Sequence, residues 1–147
     1  MNHIAFLTKK YNFIQKILAK EKTIESRWYK TKRAPWDKIK KGDVVYFKET
    51  GMPVSAIATV SKIIQFSDLN NGKIKEIYIK YGGRITADYT NSINKIKMMG
   101  EFTKNKKYCI LVFLKNPKKI EPFNINKMGF GNSCAWICTE DIKTTKN

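Results

Sequence analysis

The sequence is poor in the residues that most often carry catalytic or metal-binding chemistry. It has one histidine, His3, and three cysteines among 147 residues. A single histidine argues against histidine-based acid–base catalysis. Cys134 and Cys138 stand four positions apart with no further histidine to complete a ligand set, so we expect no metal and no other cofactor. An odd number of cysteines in apolar runs indicates buried thiols in a reducing compartment.

Long apolar stretches are also absent. The longest run, residues 109–114, is far shorter than the roughly 20 residues that span a bilayer. Residues 1–10 lack the apolar core of a signal peptide. Phosphate-binding loops, nucleophile elbows and dinucleotide fingerprints are missing as well. We therefore expect a cytoplasmic protein without membrane association, built as one domain over residues 1–147 with a disordered tail at 143–147.

Acidic residues are scarce, and the resulting charge points to a polyanion. Twelve acidic residues face 29 basic ones, for a formal net charge of +17. Such a surface attracts nucleic acid and releases its counterions, so RNA, single-stranded or structured, is the expected partner. The alternative is a compositional bias, because the chain is rich in lysine, asparagine and isoleucine and has few arginines. Nothing in the sequence specifies an obligate protein partner.

The hydrophobic pattern predicts a mixed fold. Alternating or continuous apolar runs indicate about six strands, and helical spacing indicates two or three short helices. We expect strands over 3–7, 23–29, 44–48, 54–66, 107–114, 120–125 and 134–138, and helices over 12–20, from about 69 to 81, and 92–99. Ser67 or Asp68 would cap the second helix, and Gly82 with Gly83 would stop it. A long strand that is apolar on both sides suits a barrel, so the expected fold is an α+β domain on a barrel-like sheet.

One segment carries a recognisable motif. Lys22, Glu25 and Arg27 match the last three positions of Gly-x-Lys-x-x-Glu-x-Arg, and Lys20 stands where that motif has glycine. An Ile-x-x-Gly-Asp strand entry follows at 39–43, and Gly-Phe-Gly at 129–131 precedes Ala-Trp-Ile at 135–137. In this order the sequence resembles the ASCH domains over nearly its whole length.

The resemblance implies a PUA-like mixed β-barrel with a cleft, associated with RNA binding and RNA modification. Some ASCH members resemble nucleases. A compact bacterial subgroup hydrolyses the acetyl amide of acetylated cytidine with the motif lysine, a hydroxyl residue three positions later and a remote glutamate. In this sequence Glu25 occupies the position of the hydroxyl residue. Glu76 is a guess for the remote glutamate.

The motif residues also have a physical interpretation of their own. On a strand, Glu25 and Arg27 share a face, and a turn at Lys22 could bring its amine toward Glu25. Arginine offers a fork to phosphate or a base edge, and glutamate accepts from base amino groups. With shifted pKa values, Lys22 and Glu25 could exchange protons as a catalytic pair. The alternative is that Glu25 and Arg27 form an internal ion pair that stabilises the barrel.

Further candidates lie outside the motif. Aromatic residues interleaved with basic ones are typical of single-stranded RNA recognition, and they point here to Trp28, Arg33 and Trp36; the alternative is that both tryptophans plug the barrel. Lys48 could reach the cleft or be an ordinary solvated lysine. Further candidates, Asn132 and Ser133, lie in a glycine-rich loop whose amides could bind an anion.

These observations predict an RNA-binding domain that holds a nucleotide in a basic cleft. Two alternatives stay open. One is a metal-independent hydrolase acting on RNA or a modified nucleoside, with Lys22 and Glu25 as catalytic residues. The other is a sensor of a small anionic ligand.

Overall fold

The structure, a computed structural model, describes residues 1–126 and 135–147. These residues form six strands and three α-helices: β1 (Asn2–Leu7), α1 (Phe13–Leu18), β2 (Ile24–Tyr29), β3 (Val44–Glu49), β4 (Val54–Phe66), α2 (Asn71–Thr86), α3 (Ile93–Thr103), β5 (Tyr108–Phe123) and β6 (Trp136–Thr139). Two 3-10 helices span Lys9–Tyr11 and Ile142–Thr145. Within these ranges no helix has the length and apolar character needed to cross a membrane.

The strands make one sheet in the order β2-β5-β4-β3-β1-β6. Strands β1 and β3 run parallel, and the other neighbouring pairs are antiparallel. The long strands β4 and β5 pair along most of their length with three register shifts. Such bulges increase local twist and bend a sheet. The result is a curled half-barrel, the α+β fold that the sequence predicts, with β2 at one edge and β6 at the other.

The main core fills the inside of the curl. Strand alternation places Ala5, Val45, Phe47 and Val112 there, together with residues of α1 such as Ile17. A second cluster lies between the outer face of β2 and β5 and the helices α2 and α3. A third cluster covers the outer face of β1. Because both faces of the sheet are covered near β2, side chains of opposite parity on that strand enter different cores.

The predicted helix boundaries needed correction. Helix α2 is capped by the side chain of Asn70, which accepts from the N–H of Lys73, and neither Ser67 nor Asp68 is the cap. Gly82 and Gly83 do not stop the helix, which continues to Thr86. Their role is in packing. A Cβ on Gly82 would lie 3.3 Å from the Lys95 side chain of α3, and one on Gly83 would lie 2.7 Å from the Tyr89 ring.

The strand predictions were wrong in one respect, and the chain end differs from expectation. Residues 107–114 and 120–125 are not two strands, because β5 continues from Tyr108 to Phe123 through its bulges. Residues 143–147, expected to be disordered, have defined contacts: Thr145 is buried, and Asn147 N–H donates to the Asn124 carbonyl. Cys109 is buried as expected, Cys138 is only half-buried, and Cys134 lies outside the described residues.

Candidate functional site

Side chains alternate along strand β2, so the residues of this segment face two different sides of the sheet. Glu25 and Arg27 face the inside of the curled sheet, while Ile24 and Trp28 belong to the cluster beneath α2 and α3. This is the alternation that the sequence predicts. It places the carboxylate and the guanidinium on the same face, two residues apart.

Lys22 joins them from the turn before the strand. Its Nζ lies 3.3 Å from Oε1 of Glu25 and donates to the carbonyls of Ile24, at 2.6 Å, and Ile85. The ring of Phe13 covers the amine, with its centroid 4.3 Å from Nζ. Only 1% of Lys22 is exposed. The motif lysine is therefore an interior residue that connects β2 to the end of α2.

Arg27 connects the two edges of the curled sheet. Its Nη2 donates to Oε2 of Glu25 at 2.7 Å and to the Phe6 carbonyl of β1 at 3.0 Å. Its Nη1 donates to the Ala135 carbonyl at 3.2 Å. We call this junction, where β2 faces the end of β1 and the start of β6, the seam. The ion pair of Glu25 and Arg27 thus has the internal, stabilising geometry that the sequence left open as an alternative.

Burial and charge act in opposite directions on these groups. Burial lowers the pKa of Lys22, and the nearby carboxylate of Glu25 offsets part of that effect. Burial would raise the pKa of Glu25, but the charges of Arg27 and Lys22 and their hydrogen bonds bring it below its ordinary value. Glu25 is 3% exposed, so an ionised carboxylate there depends on both cationic partners.

The hydrogen bonds leave little of this network available for catalysis. An ammonium group has three protons, and three acceptors surround Nζ of Lys22. Both oxygens of Glu25 are engaged, one by Lys22 and one by Arg27. A nucleophile or base needs a free lone pair that faces its substrate. The geometry therefore favours a structural role for Lys22 and Glu25.

A second buried polar chain supports the seam from below. The Trp136 ring lies under the Arg27 guanidinium, 5.0 Å from centroid to Cζ. Its Nε1–H donates to Nδ1 of His3 at 3.0 Å, and Nε2 of His3 lies 2.8 Å from Oδ2 of Asp43. Because Nδ1 accepts, the histidine is neutral with its proton on Nε2. Burial lowers the pKa of His3, against the opposing effect of Asp43.

A cavity of about 310 Å³ opens along the seam. Its volume is at the lower end of the range of small-molecule pockets. Glu25 and Arg27 lie in its wall, and the remaining described residues that line it come from β1, α1, β2, α3 and their connections: Phe6, Leu7, Thr8, Phe13, Ser26, Trp28, Tyr29, Glu101, Phe102, Lys106 and Ala135. Five of the thirteen lining residues are aromatic, and four are charged, two acidic and two basic.

An exposed patch adjoins this cleft. A smaller pocket of about 110 Å³ shares Tyr29 with the cleft and is also lined by Arg33, whose guanidinium lies 5.8 Å from the Tyr29 ring. Trp36 is half-buried and packs edge-on against Tyr108, with Nζ of Lys32 5.7 Å from its ring. We call Tyr29, Lys32, Arg33, Trp36 and Tyr108 the end patch.

The other candidates contribute less or lie elsewhere. Trp28 lines the cleft, but it is only 7% exposed and its ring packs beneath the helices. Lys48 is on the outer face of β3 with Nζ 4.9 Å from the Phe6 ring, and is not among the described residues that line the cleft. Glu76 is exposed on α2, away from Lys22. Asn132 and Ser133 lie outside the described residues.

Several cleft residues were not found by sequence reasoning. Phe13 comes from α1, and Phe102 and Lys106 come from the end of α3 and the loop after it. Phe13 and Phe102 read as ordinary apolar helix positions, and Lys106 is one lysine among many. Only the tertiary approach of these helices to β2 distinguishes them, and no local motif marks that approach.

The curled six-stranded sheet, joined at its seam by the motif residues, has the fold of the ASCH domain. The crystal structure of ASCH from Zymomonas mobilis superposes with a TM-score of 0.67 at 15% identity, covering 97% of this chain and 90% of that one. A tyrosine-to-phenylalanine variant of that protein gives the same TM-score at 14% identity, covering 95% of this chain and 90% of that one. A hypothetical protein gives 0.52 at 20% identity, covering 82% of this chain and all of that one. No family model and no curated protein matches the sequence.

Proposed function

We propose that the protein binds RNA and holds one nucleotide in the seam cleft. The observation that carries this proposal is the cleft itself, an aromatic-walled cavity of about 310 Å³ on a chain of net charge +17. A nucleobase needs a flat apolar surface for stacking and a few polar groups at its edge. The phosphates on either side need cations.

The cleft supplies surfaces for the base. Rings of Phe13, Tyr29 and Phe102 stand in its walls. Stacking of a base on an aromatic side chain contributes roughly 1–3 kcal/mol. Polar side chains of Thr8, Ser26 and Lys106 line the same cavity.

Cations for the phosphates lie in the cleft wall and in the adjoining end patch. Lys106 is half-buried in the cleft wall, and Lys32 and Arg33 are exposed at the end patch next to it. Because the end patch shares Tyr29 with the cleft, a strand leaving the cleft would meet its cations and its aromatic rings together. The buried amine of Lys22, surrounded by three acceptors, favours this binding role over hydrolysis by the motif lysine.

The test is fluorescence anisotropy of a short labelled single-stranded RNA, titrated with wild type, Lys106→Gln and Lys75→Gln at two salt concentrations. Lys75 is exposed on α2 and does not line the cleft, so both variants lose the same charge. We expect Lys106→Gln to weaken binding about three- to tenfold and Lys75→Gln to change it less than twofold.

The same RNA is then run on a denaturing gel. Equal losses in the two lysine variants would mean that binding follows overall charge and that the cleft is not its site. If the RNA is still shortened by protein that has been purified again, a hydrolase would be favoured. Tight binding of a free nucleotide with no gain from longer RNA would favour a sensor of a small anion.

A further inference from the structure

Among the described residues, strand β2 pairs with β5 alone, so its other edge, at the seam, is free of strand partners there. The carbonyl of Thr23 accepts from Leu114 N–H, and that of Tyr29 accepts from Lys107 N–H, so odd-numbered residues direct their main-chain groups toward β5. Neighbouring residues of a strand direct them to opposite sides. The N–H and C=O groups of Ser26 and Trp28 therefore face away from the sheet.

This free edge opens into the cleft. Ser26 and Trp28 both line the cavity. Their side chains are engaged elsewhere, because the Trp28 ring packs beneath the helices and its Nε1–H donates to Oγ of Ser26 at 2.8 Å. What these two residues present to a ligand is thus mainly their peptide groups.

We propose that the main chain of Ser26 and Trp28 pairs with the Watson–Crick edge of the base in the cleft. This inference rests on the proposed function and specifies its substrate as an unpaired nucleotide, from single-stranded RNA or flipped out of a helix. A free strand edge offers alternating donors and acceptors that otherwise recruit another strand. The Watson–Crick edge of a base carries the same groups side by side.

The chemistry of the Watson–Crick edge determines which nucleotides cannot pair with β2. A base in a duplex has its Watson–Crick edge occupied by its partner, so it cannot pair with β2. A methyl group on that edge removes a donor and adds bulk at the strand. A methyl group on the opposite side of the ring leaves the pairing intact. Recognition of this kind does not depend on the side chain at position 26.

The first test uses modified RNA with the wild-type protein. Oligouridine, oligouridine methylated at N3 of each base and oligouridine methylated at C5 are compared by anisotropy. If oligoadenosine binds more tightly than oligouridine, oligoadenosine is compared with its 1-deaza analogue, which lacks the N1 acceptor of the Watson–Crick edge. We expect loss of the edge group to weaken binding about five- to tenfold, as for one or two hydrogen bonds, while the C5 methyl has no such effect.

The second test changes the strand. Ser26→Pro removes the N–H that faces the cleft, at an edge position that does not contribute to the ladder with β5. Ser26→Ala removes the hydroxyl and keeps the N–H. We expect Ser26→Pro to weaken binding of unmodified RNA about tenfold and to bring the ratio between unmodified and edge-modified RNA close to one. Ser26→Ala should keep the wild-type ratio.

The outcomes separate this inference from the proposed function. If the wild type binds unmodified and edge-modified RNA equally, RNA binding stands and main-chain recognition is wrong. If Lys106→Gln and Lys75→Gln also behave alike, the cleft is not the site and both are wrong. Should Ser26→Pro fail to fold, the comparison of modified RNAs with wild type still decides.

Discussion

The motif network and the end patch lie at the same seam but differ in how their charges are used. In the network, Lys22 and Glu25 are buried, and the Arg27 side chain is 11% exposed. Glu25 pairs with both cations, which also donate to main-chain carbonyls. In the end patch, Lys32 and Arg33 are exposed, and their contacts are with aromatic rings. The first region shares one carboxylate between two cations that also bond to main-chain carbonyls, and the second leaves its cations exposed to solvent.

This difference separates the recognisable motif from the proposed binding surface. A buried carboxylate between two cations is costly to desolvate and is kept only if every partner stays in place. Such a network specifies geometry, because it sets the distance between β2 and the β1–β6 edge. The end patch carries no comparable structural cost, so its residues are free to serve recognition.

The largest expected effect comes from removing the carboxylate of the network. Glu25→Ala leaves the buried Lys22 and the largely covered Arg27 without their counter-charge, which should lower the free energy of unfolding by about 3–5 kcal/mol. Urea denaturation followed by tryptophan fluorescence measures it. Glu121→Ala, at an exposed position of β5, is the matched control and should change stability by less than about 0.5 kcal/mol.

Retained stability in Glu25→Ala would contradict the structural role of the network. A stable Glu25→Ala protein that had lost an activity on RNA would return Glu25 to the catalytic candidates. A protein that is unstable and regains RNA binding when refolded at low temperature would support the structural interpretation.

The next effect concerns the buried histidine under the seam. The folded pKa of His3 lies below the ordinary 6.5, so below that pH the unfolded state takes up a proton that the folded state resists. Stability should be full above pH 6.5 and fall as the pH drops below it. His3 is the chain's one histidine, so its ring proton resonances give the pKa directly by NMR titration.

His3→Gln serves as the control, because it cannot titrate and retains a donor for Asp43. It should remove the part of the stability loss that begins just below pH 6.5, leaving the loss at lower pH that carboxylates cause. A measured pKa at or above 6.5 would mean that the Trp136–His3 hydrogen bond does not hold the histidine neutral.

The sequence could predict what depends on local pattern. Strand alternation placed Glu25 and Arg27 on one face, and a turn brought Lys22 to Glu25 as that spacing allowed. It could not predict the seam, because Arg27 bonds to Phe6 and Ala135, 21 and 108 positions away. Closure of a curled sheet depends on bulges and long-range register, which no short pattern encodes.

The same limit applies to the cleft and to the glycines. Lys106 acquires its place in the wall through the approach of α3 to β2. The local sequence predicts that Gly82 ends the helix. In the fold the helix continues, and Gly82 instead leaves room for the side chain of Lys95. Local signals fail where another segment of the chain supplies the stronger interaction.

A smaller effect should distinguish the end patch from the network, because a change in the end patch should lower RNA affinity and leave stability nearly unchanged. Arg33→Ala removes an exposed guanidinium that lies against the Tyr29 ring, so stability should change by less than about 0.5 kcal/mol. RNA affinity should fall about three- to tenfold, with a shallower salt dependence. Arg84→Ala loses the same charge at α2, away from the cleft. Equal affinity losses in the two variants would mean that the end patch has no particular role.

The smallest expected effect tests why the motif begins with glycine. Lys20 has φ of 62°, in the left-handed region, and its N–H donates to the Ile17 carbonyl at the end of α1. A side chain costs about 1–2 kcal/mol there, and glycine avoids that cost but loses more entropy on folding. Lys20→Gly should therefore raise the free energy of unfolding by about 0.5–1 kcal/mol in urea denaturation. Lys20→Ala removes the same charge and keeps the Cβ, so equal stability of the two variants would show that the turn leading to Lys22 does not require a left-handed residue.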